Sequence, residues 1–353
     1  MIGFFPDPYP DEPLYSVCAR YQDSVQYPSK SSVARELLGN GNAAAVIGLP
    51  WCLDNLIAAL PPGHRYTIEN LINHQTLLPF YNPFLPVAQK NRLVQDMRGS
   101  RGTGLYQRLG FFRAGIQLPA WLRFCPICVE VDEHQFGECY WHRLHQVPGV
   151  EVCPTHSVFL ENSNVSAQHH LPRCEFVSAE RGTKTTTPTE LNLKDPGHAA
   201  FVRIAHDAAW LLSQHCWDLE LKSTHNRYLC LLAESFLDSD TGTLHLSHLL
   251  EAFRNHYPRD FLRRVQCEIH QTNHRSWLNQ LVQFPPGVQH PLRHLLFIQF
   301  CGYTAEEFFK LPPSFKIFGE APWSCFNVVY NNFQLPQVTE CFVVYNFIVC
   351  DEA

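Results

Sequence analysis

Apolar residues recur at helical spacing along most of the chain. After an extended opening held by Pro6, Pro8 and Pro10, residues Leu14, Val17, Cys18 and Tyr21 share one face of a helix starting near Pro13, with Asp11 placed to cap it. Val33, Leu37 and Leu38 mark a second helix, stopped by Gly39–Gly41. A third is expected from Trp51 to Leu60, and a short one from Ile68 to His74. A further helix is expected from Val87 to Met97, with Val87, Leu93, Val94 and Met97 inward and Lys90 and Arg92 outward. Short helices joined by short turns are the grammar of a helix-turn-helix bundle. Gly99–Gly104 is glycine-rich, but without the Lys-Ser/Thr of a phosphate-binding loop it reads as a turn. In the second half the same periodicity predicts helices through Phe201–Leu212, Tyr228–Phe236, Leu246–Phe253, Phe261–Ile269, Trp277–Val282 and His290–Gln299.

The pattern breaks between Phe124 and His156. Cys125-Pro-Ile-Cys128 and Cys153-Pro-Thr-His156 are two knuckles with a two-residue gap, and a proline sits at the same place in each. Three thiolates and one imidazole suit tetrahedral Zn²⁺, and four protein ligands leave no position open for chemistry. The strand-forming run Tyr140–His145 and the turn Pro148-Gly149 before Val150–Cys153 predict a β-hairpin carrying the second knuckle. Cys139, His142 and His145 are rival ligands whose spacing fits less well. Glu130, Asp132, Glu133 and Glu138 lie nearby, which keeps a zinc hydrolase or nuclease as a remote alternative.

Composition narrows the class. The 353 residues are 45% hydrophobic and only 17% charged, against roughly 25% charged in ordinary soluble domains. No apolar run reaches the ~18 residues of a membrane span, and the proline-broken N-terminus does not read as a signal peptide. The 14 cysteines therefore read as thiols and metal ligands in a cytoplasmic protein. Net charge is −6, yet cations cluster. Lys90, Arg92, Arg98 and Arg101 belong to one basic segment, and Arg254, Arg259, Arg263 and Arg264 to another. Both segments are candidate phosphate contacts.

Three motifs in order then resemble one family. Phe5-Pro-Asp-Pro-Tyr-Pro-Asp-Glu-Pro-Leu-Tyr-Ser, His74-Gln-Thr-Leu-Leu-Pro-Phe, and the knuckles with Tyr140-Trp-His-Arg-Leu-His-Gln-Val-Pro-Gly-Val between them are similar to the TniQ/TnsD family of transposon target-selection proteins. The resemblance runs over roughly the first 160 residues. Pro291-Leu-Arg-His-Leu-Leu-Phe and Tyr303-Thr-Ala-Glu-Glu-Phe look like the C-terminal region of TnsD-type members. His142 departs from the pattern, where a second basic residue such as arginine is expected.

The combined expectation is a mainly α protein in which helix-turn-helix modules flank a small β zinc ribbon. Its parts would be a module over 1–120, the ribbon over 121–165, a polar linker over 166–197, a second module over 198–312, and an irregular tail with a short strand over 313–353. In that tail Cys341–Cys350 reads as one buried strand, and Cys325, Cys341 and Cys350 are too widely spaced for a second metal knuckle. The resemblance implies a non-enzymatic bacterial adaptor with one structural Zn²⁺ on Cys125, Cys128, Cys153 and His156. It would bridge target DNA, or a Cascade-type CRISPR effector with guide RNA, to a TnsC-type AAA+ transposition regulator, possible homodimers included. The alternative within the family is a TnsD-type reader of a fixed attachment site.

Overall fold

The computed structural model describes residues 1–29, 31–40, 45–100, 102, 104–110, 115–167, 175–184, 186–214, 221–236, 244–269, 276–282 and 288–311, together with the backbone of strands over 323–324, 336–344 and 347–352. Helices form where the apolar spacing placed them. α1 (Leu14–Val25) buries Leu14, Val17, Cys18 and Tyr21. It is followed by α2 (Ser32–Leu38), α3 (Leu53–Ala59), α4 (Ile68–Gln75), α5 (Leu78–Tyr81), α6 (Val87–Arg98) and α7 (Leu105–Arg108). Thr67 caps α4 through its hydroxyl, which accepts from the Asn70 N–H. Asp11 does not cap α1; the N-cap position is Pro13. Asp11 sits at φ 55 instead and turns its carboxylate towards Arg143 and Leu144.

The metal-bearing region starts with β1 (Trp121–Phe124) and α8 (Pro126–Phe136). It continues with β2 (Val152–Cys153), β3 (Val158–Phe159) and β4 (Glu161–Ser166). β1 pairs antiparallel with β4, and β2 with β3 in the register Cys153↔Val158. The expected hairpin is thus displaced. Residues 140–143 form no strand, and Leu144–Gln146 make a 3-10 turn. The strand holding Cys153 pairs forward, across its own knuckle, rather than back to Tyr140–His145.

The span expected to be a linker contains a packed strap. Phe176, Ala179 and Gly182 are buried, the last two in the single turn α9 (Ala179–Gly182). The indole N–H of the fully buried Trp141 donates to the Val177 carbonyl at 2.8 Å. Few apolar residues suffice here because the strap covers an existing apolar surface and needs no core of its own.

The second half comprises α10 (Pro196–Ser213), α11 (Leu221–Phe236), α12 (Leu246–His256), α13 (Arg259–Arg264), α14 (Trp277–Val282), α15 (Pro291–Phe300) and α16 (Ala305–Lys310). Asp195 caps α10 by accepting from two backbone N–H groups, and Thr304 with Glu307 forms a reciprocal capping box on α16. The tail is more regular than expected: β5 (Trp323–Ser324), β6 (Pro336–Val344) and β7 (Phe347–Glu352) form one antiparallel sheet. Cys341 and Cys350 are register partners on two strands, not the ends of one. Cys325 lies outside the described residues.

One hydrophobic core runs from Ile2 to Phe308. α10 packs on α4, α5 and β2 and also on α15 and α16. Gly149, at φ +85, leaves room for Leu292 of α15, where a Cβ would stand 2.5 Å from a Leu292 methyl. His294 of α15 stacks on Phe84 with centroids 4.2 Å apart. No helix among the described residues is long and apolar enough to cross a membrane.

Candidate metal centre

Cys125 is the N-cap residue of α8, with Pro126 at its first helical position and Cys128 within the first turn. Both sulfurs therefore sit at the positive end of the helix dipole, which favours thiolates. Cys153 and His156 lie either side of the tight turn between β2 and β3. That turn is closed by a 2.9 Å bond from the Ser157 N–H to the Cys153 carbonyl, with Ser157 in the left-handed region at φ 54. The four ligand atoms lie within 4.8 Å of one another. His156 Nδ1 is 3.5, 3.3 and 3.6 Å from the sulfurs of Cys125, Cys128 and Cys153, and the Cys128 and Cys153 sulfurs are 3.8 Å apart.

These distances can be tested against an ion. Zn–S bonds of about 2.3 Å and Zn–N bonds of about 2.0–2.1 Å at tetrahedral angles require S···S edges of about 3.8 Å and S···N edges of about 3.6 Å. The Cys128–Cys153 edge and the three S···N distances lie close to these values, so Cys125, Cys128, Cys153 and His156 could hold one metal ion. The cysteines are buried and His156 is half-buried. Among the described residues no other group of His, Cys, Asp or Glu meets this standard.

The rival ligands lie outside this cluster. His142 pairs with buried Asp132 at 2.8 Å. Burial pushes the His142 pKa down, but its bond to Asp132 and that carboxylate's charge outweigh burial and hold it above its ordinary value. His145 is buried with its Nδ1 unpaired among the described residues, and burial lowers its pKa below the usual imidazole value. Glu138 accepts from the Tyr9 hydroxyl at 2.9 Å and from Arg20 of α1 at 2.8 Å, which ties the N-terminal residues to the end of α8.

The basic candidates divide. Lys90 is buried on α6, against the expected outward position, while Arg92 is exposed. Val87, expected inward, is exposed instead at the first position of α6. Arg98 pairs with Asp54 at 3.1 Å. Arg101 lies outside the described residues. Arg254 donates to the Ile269 carbonyl at 2.8 Å. Arg259 pairs with Glu268 at 2.6 Å, Arg263 with Asp260 at 2.9 Å, and Arg264 with Glu151 at 2.9 Å.

Sequence reasoning missed the buried arginines. Arg143 is 6% exposed. Its Nε donates to Asp11 at 3.1 Å, and its two amino groups donate to the carbonyls of Asn73, Thr76 and Leu212 at 2.7, 3.3 and 3.2 Å. The helix over 126–136 was also missed, although Pro126 at its start and Gly137 just past its end are a readable signal.

The matches to known proteins fall on both sides of this centre. The TniQ family model matches residues 3–160. The model for the Tn7-like transposition protein D, TnsD, matches residues 204–347. The chain belongs to the TniQ/TnsD family. The metal cluster and Arg143 lie in the TniQ-matched span; Arg254, Arg259, Arg263 and Arg264 lie in the TnsD-matched span. Among curated TniQ/TnsD relatives, the chain is similar to the transposon Tn7 transposition protein TnsD of Escherichia coli. It is 30% identical to that protein over 159 residues, which is 44% of this chain and 31% of the relative's length.

Proposed function

We propose that this protein is a non-catalytic target-selection adaptor of a bacterial transposition system, acting in the cytoplasm. It engages the target, either as DNA or as a Cascade-type RNA-guided complex already on DNA, and presents it to a TnsC-type AAA+ regulator. The observation that carries the reading is the ordered pair of family matches, TniQ-like then TnsD-like, along one chain. The metal centre supports it as a staple. We assign Zn²⁺ to Cys125, Cys128, Cys153 and His156 because the donor set and the ligand spacings suit it. The ion supplies cross-linking, and four filled positions leave no site for an activated water. Asp132 and Glu138, which a hydrolase would need free, are bound to His142 and Arg20.

The match of residues 204–347 to the TnsD model favours a second reading, direct recognition of a fixed attachment site. One experiment separates the two. The purified protein is offered a fixed attachment site alone, and a target already bound by an RNA-guided complex, and co-purification of the AAA+ regulator is scored on each. Recruitment on the RNA-guided target alone supports the adaptor; recruitment on the naked site supports the direct reader. No recruitment on either, or metal-dependent DNA cleavage lost on Glu138→Ala, overturns both.

A further inference from the structure

A cleft of about 210 Å³ opens where the metal-bearing region meets the end of α13. Ile116–Ala120 form one wall, Arg123 and Glu151 another, and Arg264 with Gln266 a third. Two guanidinium groups converge there on a single carboxylate. Arg123, buried, donates one amino group to Glu151 Oε1 at 3.1 Å and the other to the Val147 carbonyl at 2.7 Å. Its Nε is buried with no hydrogen-bond partner. Arg264 donates its Nε to the other Glu151 oxygen at 2.9 Å. Both oxygens of the one carboxylate are taken, and the group as a whole carries one surplus positive charge.

Arg264 is also held in place. Its guanidinium lies 4.8 Å from the Phe159 ring centroid and 5.2 Å from that of Phe201, while its side chain is 48% exposed. The two terminal amino groups make no hydrogen bond among the described residues. Stacking fixes the plane of the fork before any ligand arrives, so little further ordering is needed to use it. At the rim the Gln117 N–H donates to Gln266 Oε1 at 2.9 Å, which leaves the amide NH₂ of Gln266 for a ligand.

We propose that this cleft binds a backbone phosphate of the target nucleic acid, with Arg264 and the Gln266 amide as the contacting donors and Arg123 as the buried charge that keeps the cleft cationic. A phosphodiester carries one permanent negative charge, which equals the surplus in the cleft. Its paired oxygens match the guanidinium fork. The neighbouring Arg259 and Arg263 pair with Glu268 and Asp260 away from the cleft, so Arg264 is the cation of α13 that lines it. The inference rests on the reading of the protein as one that meets target DNA itself.

The test is anisotropy of a short labelled DNA duplex over a salt series, with the wild type, Arg264→Gln, Arg264→Lys and Glu151→Gln. Metal content and melting temperature are followed in each, because Glu151 and Arg123 stand close to the ligands in sequence. Arg264→Gln is expected to weaken binding several-fold for unrelated sequences alike and to reduce the salt slope by about 1. Arg264→Lys should fall between. Glu151→Gln should tighten binding, since it removes the carboxylate that competes with the phosphate. A clamp that only joins α13 to the metal-bearing region would instead lower the melting temperature in every variant and shift no affinity in opposite directions. Unchanged affinity in Arg264→Gln beside firm wild-type binding overturns the cleft alone, while absence of wild-type binding overturns direct DNA contact as well. Inorganic phosphate that binds through Arg264 without competing with the duplex, or poly-glutamate that binds there more tightly than DNA, overturns the nucleic-acid assignment.

Discussion

Replacing Arg143 by methionine should loosen the junction at which four parts of the chain meet. The side chain is 6% exposed and donates to Asp11 in the segment before α1, to the carbonyls of Asn73 and Thr76 at the end of α4, and to that of Leu212 at the end of α10. Two helix C-termini point their negative ends at one cation, a favourable arrangement. Methionine fills much of the same volume, so the loss is one of charge and donors. Removing one member of a buried charged pair costs about 3–5 kcal/mol. Asp11 is about a third exposed and keeps the Leu144 N–H, so water compensates part of its loss and the low end, about 3 kcal/mol, applies. With an unfolding entropy of about 2.1 cal/mol/K per residue, a chain of 353 residues should then melt about 4 °C lower by calorimetry. Arg143→Lys keeps the charge without the fork and should recover less than half of the shift. Asp11→Asn should cost about 1 kcal/mol, as expected when a partly exposed acceptor keeps its backbone contacts. An Arg143→Met protein that melts within about 1 °C of wild type, with its metal in place, would refute the idea that this arginine joins the parts.

Cys128→Ser should abolish stoichiometric zinc, read by atomic absorption, and expose the region around α8 to protease, since structural zinc binding is part of the folding free energy; one zinc per chain retained in that variant would overturn the ligand assignment. Acid should destabilise the second half. Burial holds His225 at about 4 and His290 and His294 at about 3, against about 6.5 in an unfolded chain. The unfolded state therefore takes up protons first as pH falls, so the contribution is fully present above about pH 6.5 and is lost between there and about pH 3. At pH 5 the loss is about 2 kcal/mol per histidine. Glu12 and Asp207, raised chiefly by burial, act in the opposite direction at lower pH. A melting temperature that stays flat from pH 7 to pH 5, with zinc retained, would contradict this account.

The legible parts of the fold were those set by one-dimensional periodicity. Leu14, Val17, Cys18 and Tyr21 repeat at helical spacing and are buried on one face of α1. The four metal-site residues were legible because a two-residue gap is a local geometric requirement, and they do come together. What depended on distant partners was not. Tyr140–His145 has the composition of a strand, but among the described residues no strand pairs with its backbone; Tyr140 packs between Tyr9 and His142, and Arg143 is drawn to two helix ends. Lys90 was placed outward because lysine usually is, while burial of its stem is decided by how α6 sits on the core. The strap over 175–184 looked too polar to pack, because a segment lying on a surface already made elsewhere shows no apolar period of its own.

The metal centre gains its leverage from where its second knuckle lies. β2, which carries Cys153, packs on α10, and α10 in turn contacts α4 and α5 from the first half and α15 and α16 from the second. Four residues upstream, Gly149 seats Leu292 of α15, and two upstream, Glu151 joins Arg123 to Arg264 of α13. A ligand set that fixes Cys153 and His156 against α8 therefore fixes the surface on which the second half is built. Losing the ion should propagate outward through α10 rather than stay confined to the knuckles. On the proposed reading a bound ion would not act on the target; it would set the position of the TnsD-like half relative to the TniQ-like half.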